Sequence, residues 1–178
     1  DIGFFYGFLI LLILVATTNA VNITDGLDGL AGGLSLIAII TFSIILVSTG
    51  WLEGYYEISL FIFILIGSLI TFLVFNIYPA KIFMGDTGSL ALGSILGTLA
   101  ILTRHEILLI LICIAFVLET LSCIIQRIYY KLFKKRIFPM TPIHHTFEKK
   151  YKEFDVVKIF WLIGLISSLI ALIYGVIL

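Results

Sequence analysis

Long apolar runs broken by short polar or glycine-rich segments dominate the chain. A bilayer core takes about 20 mostly apolar residues per helix, within a working range of roughly 17 to 25. Six stretches come close: 4–20, 30–48, 58–77, 84–102, 107–128 and 156–178. The pattern predicts an all-α, polytopic transmembrane helix bundle of about six spans, one membrane domain over residues 1–178.

Six crossings leave both ends on one side, and positive charge decides which side that is. Of the 11 Lys and Arg residues only Arg104 falls with the ends. Lys81, Arg127, Lys131, Lys134, Lys135, Arg136, Lys149, Lys150, Lys152 and Lys158 lie near the other face. That face is expected to be cytoplasmic and both ends extracytoplasmic. Three polar segments, 19–29, 76–89 and 131–155, emerge on the same face, whereas the opposite loops, 50–57 and 103–106, carry no comparable cluster. One cytoplasmic site built from three loops is therefore expected.

Composition supports the membrane reading: 61% of the 178 residues are hydrophobic and 12% charged, against about 25% charged in ordinary soluble domains. Net charge is zero, so there is no electrostatic footprint for nucleic acid. Cys113 and Cys123, if on one continuous helix, lie roughly 15 Å apart, too far for a disulfide. The chain starts at Asp1 without a basic n-region or a small-residue cleavage site, so its first apolar run does not read as a signal peptide. A fragment or truncated chain is expected.

Chemistry concentrates in the polar segments. Asn19-Ala20-Val21-Asn22-Ile23-Thr24-Asp25-Gly26-Leu27-Asp28-Gly29 places two carboxylates three residues apart, which on one helical turn would share a face. Gly26 and Gly29 allow close approach of a ligand, and Asn and Asp supply acceptors for a sugar or base edge. The plain alternative is a helix cap with a polar turn. Asp86 stands where a new helix begins, among Lys81, Gly85, Gly88 and Ser89. There it either caps the helix or holds a divalent cation bridging phosphate oxygens. Phe83 either stacks on a nucleobase or anchors the interface.

In 131–155 the two prolines, Pro139 and Pro142, argue against one continuous helix. The basic residues bind pyrophosphate or simply enforce topology and attract anionic lipids. His144 and His145 are suited to donate to phosphate or to move a proton near neutral pH; their adjacency makes zinc a poor fit. His105 reads as structural. Glu119, midway along the fifth run, is either a functional intramembrane carboxylate or a packing partner hydrogen-bonded to a neighbouring helix.

Taken together, 19–31 (Asn-Ala-Val-Asn-Ile-Thr-Asp-Gly-Leu-Asp-Gly-Leu-Ala) and 83–93 (Phe-Met-Gly-Asp-Thr-Gly-Ser-Leu-Ala-Leu-Gly) resemble the polyprenyl-phosphate N-acetylhexosamine-1-phosphate transferase superfamily. Pro142-Ile143-His144-His145 with Phe147-Glu148 resembles its muramoyl-pentapeptide branch, and the resemblance covers essentially the whole chain, as the C-terminal part of such a transferase. It implies transfer of phospho-MurNAc-pentapeptide from UDP-MurNAc-pentapeptide to undecaprenyl phosphate, giving lipid I and UMP, in peptidoglycan synthesis at the bacterial cytoplasmic membrane. The implied cofactor is Mg²⁺ and the implied surroundings are membrane lipids, with a homodimer among the expected assemblies.

By the same resemblance Asp86 is the metal-binding catalytic aspartate, and His144 and His145 belong to the catalytic histidine motif. Asn19, Asn22, Asp25 and Asp28 line the substrate cleft, and Phe83 stacks on uracil. Two departures matter. Thr146 stands where the family usually has a third histidine. Its Asp-Asp-x-x-Lys motif lies upstream of the Asn-Ala-x-Asn segment, and nothing before Asn19 supplies it, so part of the active site is expected to be missing. The rival readings are a UDP-GlcNAc:polyprenyl-phosphate GlcNAc-1-phosphate transferase and a non-catalytic membrane protein or transporter with an ion pathway through Glu119.

Overall fold

The computed structural model describes residues 2–49 and 55–177, all helix, turn and loop, with no strand among them. Eight helices follow in order among the described residues: α1 (Ile2–Thr24), α2 (Leu30–Thr49), α3 (Tyr55–Asn76), α4 (Gly85–Leu102), α5 (Glu106–Ile112), α6 (Ile114–Phe133), α7 (Ile143–Glu148) and α8 (Glu153–Ile177). Five of them are long and apolar enough to cross a membrane, and six crossings result if the bent pair α5 and α6 counts as one.

That bend is the main departure from the expected fifth run. At Cys113 the helix axis turns by 84°, so the run at 107–128 is not one straight helix and the spacing of Cys113 and Cys123 along a continuous helix does not apply. No Pro or Gly marks the break in the sequence. The packing differs on its two sides: α5 lies against α8 and α4, while α6 lies against α1 and α8. Each half has a partner that the other lacks. Both thiols are free.

α2 is the central helix, packed on α8, α3, α4 and α1. Its Leu30, Ile39, Phe42 and Ile45 are fully buried, joined by Leu96 of α4, Phe116 of α6 and Val156 and Phe160 of α8. Fully burying an aliphatic or aromatic side chain of this size is worth about 1.5–3 kcal/mol relative to water. Within a bilayer that gain shrinks, and close packing carries more of the association. The α1–α4 contact is of this kind. A Cβ on Gly93 would stand 2.6 Å from Thr17 O and from Thr18 Cα, and one on Gly97 2.6 Å from Thr17 Oγ1. Only glycine lets these two backbones meet.

The helix ends depart from the sequence pattern in one informative way. α1 continues to Thr24, so Asn19 and Asn22 sit on the helix rather than in the loop. The polar side chains here return hydrogen bonds to their own helix, Asn19 Nδ2 to Val15 O at 2.8 Å and Thr24 Oγ1 to Ala20 O at 2.7 Å, which lets the helix carry them. The turn that follows closes at Gly29, whose φ of +78° is left-handed and open to glycine at little cost. As the prolines required, α6 ends at Phe133 and α7 begins only after Pro142.

Candidate active site

Four segments distant in sequence meet at one end of the bundle: the end of α1 with its turn 25–29, the α3–α4 loop, the start of α4, and α7 with the start of α8. Their meeting is built from hydrogen bonds. Asn22 Nδ2 donates to Asp86 Oδ1 and to Ser89 Oγ, each at 3.0 Å, so one amide joins α1 to the first turn of α4. Asp28 Oδ2 accepts from Ala80 N at 2.9 Å, and the Asp28 N–H donates to Glu153 Oε1 at 2.9 Å. Buried Asn76, at the end of α3, accepts from Gly29 N at 3.1 Å and donates to Ile82 O at 2.9 Å. Trp161 of α8 donates from Nε1 to Gly29 O at 3.1 Å. Its ring lies so close over Gly33 that any Cβ there would overlap it.

The two aspartates of the turn are thereby separated in role. Asp28 is spent on tying the turn to the α3–α4 loop. Asp25 faces the start of α4: its carboxyl is raised above the ordinary carboxylate range, first by burial and then by the negative charge of Asp86. They do not share a helical face, because α1 ends at Thr24 and both lie in the turn that follows. Two carboxylates held near each other, one beside a helix N-terminus, repel unless a cation or a proton lies between them.

Phe83, three residues before Asp86, is 74% exposed. Asn19 is exposed, with its amide turned back to Val15, and is not drawn into the cluster. His145 is partly exposed and its Nδ1 pairs with Glu148 one turn on. His144 is fully buried, its Nδ1 3.1 Å from Glu119 Oε2, and Glu119 is fully buried too. Glu119 of α6 thus faces His144 of the neighbouring α7. Lys81, Lys134, Lys135 and Arg136 are exposed, and His105 Nδ1 lies 2.5 Å from Thr103 O, which accepts from it, two residues away.

An apolar groove of about 420 Å³ opens between α1, α4, α5 and α6, lined by Leu12, Ala16, Ala20, Leu96, Phe116 and Thr120 among others. Its α1 wall ends at Val21, one residue before Asn22. Cys113, at the bend, is among the lining residues.

Several participants escaped the sequence reading. Asn76 and Ser89 lay inside the quoted segments without a role. Glu153 and Trp161 gave no local signal, since each acts across about 125 residues or more of chain. Among the described residues, no three His, Cys, Asp or Glu side chains gather as a ready metal cage.

Residues 1–104 match the family model described as Glycosyl transferase family 4. Curated relatives match nearly the whole chain. A phospho-N-acetylmuramoyl-pentapeptide-transferase of Halalkalibacterium halodurans is 49% identical over 173 residues, 97% of this chain and 52% of that protein. Proteins of the same name are 48% identical over 177 residues in Shouchella clausii, 99% of this chain and 53% of that protein, and 47% identical over 173 residues in Bacillus subtilis, 97% and 52%. The chain spans about half the length of the curated relatives it matches.

Proposed function

The chain belongs to glycosyl transferase family 4, and from that premise we propose that it forms part of a membrane phospho-sugar transferase that moves phospho-MurNAc-pentapeptide from its UDP carrier to undecaprenyl phosphate. The products would be lipid I and UMP. The observation that carries this reading is the bridge from Asn22 to Asp86 and Ser89, on the helix whose preceding residues line an apolar groove. A polar, carboxylate-bearing cluster next to an apolar groove suits a reaction between a soluble nucleotide and a phosphate on a long hydrocarbon chain.

Exchange of one phosphate linkage for another needs positioning and neutralisation of phosphate charge more than acid chemistry. Asp86 and Asp25 suit Mg²⁺, which typically takes one or two carboxylates and fills its remaining positions with water and substrate phosphate; the Asp25 carboxyl, raised first by burial and then by the negative charge of Asp86, supports that fit. Bound there, the ion would offset charge on the phosphate oxygens. Asn22 fixes the Asp86 carboxylate by donating to it. Asp28 and Asn76 hold the turn and the α3–α4 loop in register. Phe83 offers a free ring face to uracil, and the exposed edge of His145 reaches toward phosphate. The clustering of Lys and Arg near this end of the bundle supports a cytoplasmic face, with the ends of the chain outside.

Labelled UDP-MurNAc-pentapeptide and undecaprenyl phosphate, given to the natural full-length protein in membranes, test the proposal. Lipid I and UMP are expected, with loss on Asp86→Asn. Transfer of GlcNAc phosphate alone would give the substrate to the sister branch, and no transfer with ion flux through the protein would overturn the enzyme reading.

A further inference from the structure

We infer that His144 and Glu119 form a buried seat beneath the Gly26 turn, so that His144 sets the position of Asp25 and is a positioning residue that does not touch substrate. The inference rests on the proposed transferase reading and concerns the same site. Three elements far apart in sequence meet at this point: Glu119 on α6, His144 on α7 and Gly26 in the turn between α1 and α2.

Both side chains of the pair are 0% exposed. One carboxylate oxygen, Glu119 Oε2, lies 3.1 Å from His144 Nδ1 and 3.4 Å from the His144 backbone N. Among the described residues, Glu119 Oε1 and both ring nitrogens of His144 have no partner in hydrogen-bond geometry. Burying ionisable groups with incomplete satisfaction is expensive, and apolar residues of similar volume would fill this space with less penalty. The pair is therefore held for something other than stability.

What it does is set a height. The far edge of the imidazole packs directly on Gly26: a Cβ there would lie 2.6 Å from His144 Nε2 and 3.1 Å from Cε1. The turn rests on the thickness of one ring. Asp25 is the neighbour of Gly26, and its other chain neighbour, Thr24, leads back along α1 to Asn22, which holds Asp86 and Ser89, so the ring height sets where the Asp25 carboxylate stands beside that bridge. Glu119, on a different helix, fixes the ring from its other edge. His145 is placed otherwise, with 31% of its side chain exposed and its Nδ1 held by Glu148. The two neighbouring histidines divide the work: one supports from beneath, the other meets solvent.

Diethyl pyrocarbonate labelling of the natural full-length protein in membranes, mapped by peptide mass spectrometry, tests the burial. His145 should be modified in the substrate-free protein, and His144 protected whether or not UDP-MurNAc-pentapeptide is present. Kinetics test the positioning. His144→Ala and Gly26→Ala should each lower kcat, by about 100-fold for a misplacement near 1 Å, with KM for both substrates little changed. Adding Gly26→Ala to His144→Ala should cost far less than adding it to the wild type, because the new methyl enters vacated space. Glu119→Gln should recover most of the kcat lost in Glu119→Ala. Labelling of His144 as fast as His145, with protection by the nucleotide substrate, would overturn the inference, as would kcat losses that simply multiply in the double variant. The labelling needs no turnover, so it decides the seat even where the wild type makes no lipid I, an outcome that would sink the transferase reading instead.

Discussion

Gly93→Ala offers the sharpest test of how packing in the bundle governs the site. The added Cβ would stand 2.6 Å from Thr17 O and Thr18 Cα, both backbone atoms that no rotamer can clear, where ordinary contact begins near 3.4 Å. The helices α1 and α4 must therefore part by 3.4 − 2.6, about 0.8 Å, along their shared face. Asn22 lies one turn beyond Thr18 on α1, and Ser89 one turn before Gly93 on α4. Carried rigidly to the site, the separation stretches the two 3.0 Å bonds of Asn22 to about 3.8 Å, past the range of an N–H···O hydrogen bond. Overpacking of this kind costs about 1–3 kcal/mol of stability, and a displacement near 1 Å costs about 100-fold in rate. The assay is kcat for lipid I formation by the natural full-length protein in nanodiscs, with thermal stability followed in parallel. Gly164→Ala is the comparison: its Cβ meets one flexible methyl, Leu34 Cδ2, at 2.7 Å, and should lose much less. Wild-type kcat and wild-type stability for Gly93→Ala would refute the claim that this glycine contact places Asn22.

Asp25→Asn should separate function from stability. Because the folded protein raises the Asp25 carboxyl above its ordinary value, its ionised form is disfavoured on folding; stability falls as pH rises from the ordinary value through the raised one, and the cost persists at neutral pH. Removing the charge should leave thermal stability at pH 7 unchanged or higher while abolishing transfer; a lower melting temperature would contradict it. By the same sign, apparent Mg²⁺ affinity should weaken as pH falls through the raised Asp25 value, and titration of Mg²⁺ activation against pH checks it. Phe83→Ala should raise KM for the UDP substrate, by about 5- to 150-fold for a stacking contribution of 1–3 kcal/mol, with KM for the lipid acceptor unchanged. Ala16→Trp, which fills the groove, should do the reverse. Asn76→Ala removes the bonds that Asn76 makes to Gly29 of the turn and to Ile82 of the α3–α4 loop, leaving buried groups unpaired at about 1–3 kcal/mol, and should lower the melting temperature as well as kcat.

Much of this fold was legible because the bilayer imposes one rule, a run of apolar residues per crossing, and the runs at 30–48 and 84–102 correspond closely to α2 and α4. The break at Cys113 was not, since nothing local signals it and the packing on its two sides differs only in the folded bundle. The site was legible to the extent that it lies in dense motifs. Asn22 and Asp86 stood out as polar residues at helix ends, and they meet. Asp25 and Asp28 looked equivalent by spacing, yet the turn sends one to Asp86 and the other to Ala80. Adjacent His144 and His145 likewise looked alike, and a single residue of helical rotation puts one in the core and one at the surface. Long-range partners such as Glu153 and Trp161 leave no trace in local pattern.

We propose that the cluster around Asn22, Asp25 and Asp86 transfers a phospho-sugar to a polyprenyl phosphate, and single-turnover formation of lipid I from radiolabelled UDP-MurNAc-pentapeptide by the natural full-length protein, beside Asp86→Asn and Asn22→Ala, measures it directly. Product and equimolar UMP are expected from the wild type, none from Asp86→Asn, and a reduced rate from Asn22→Ala. Undiminished lipid I from Asp86→Asn would contradict it.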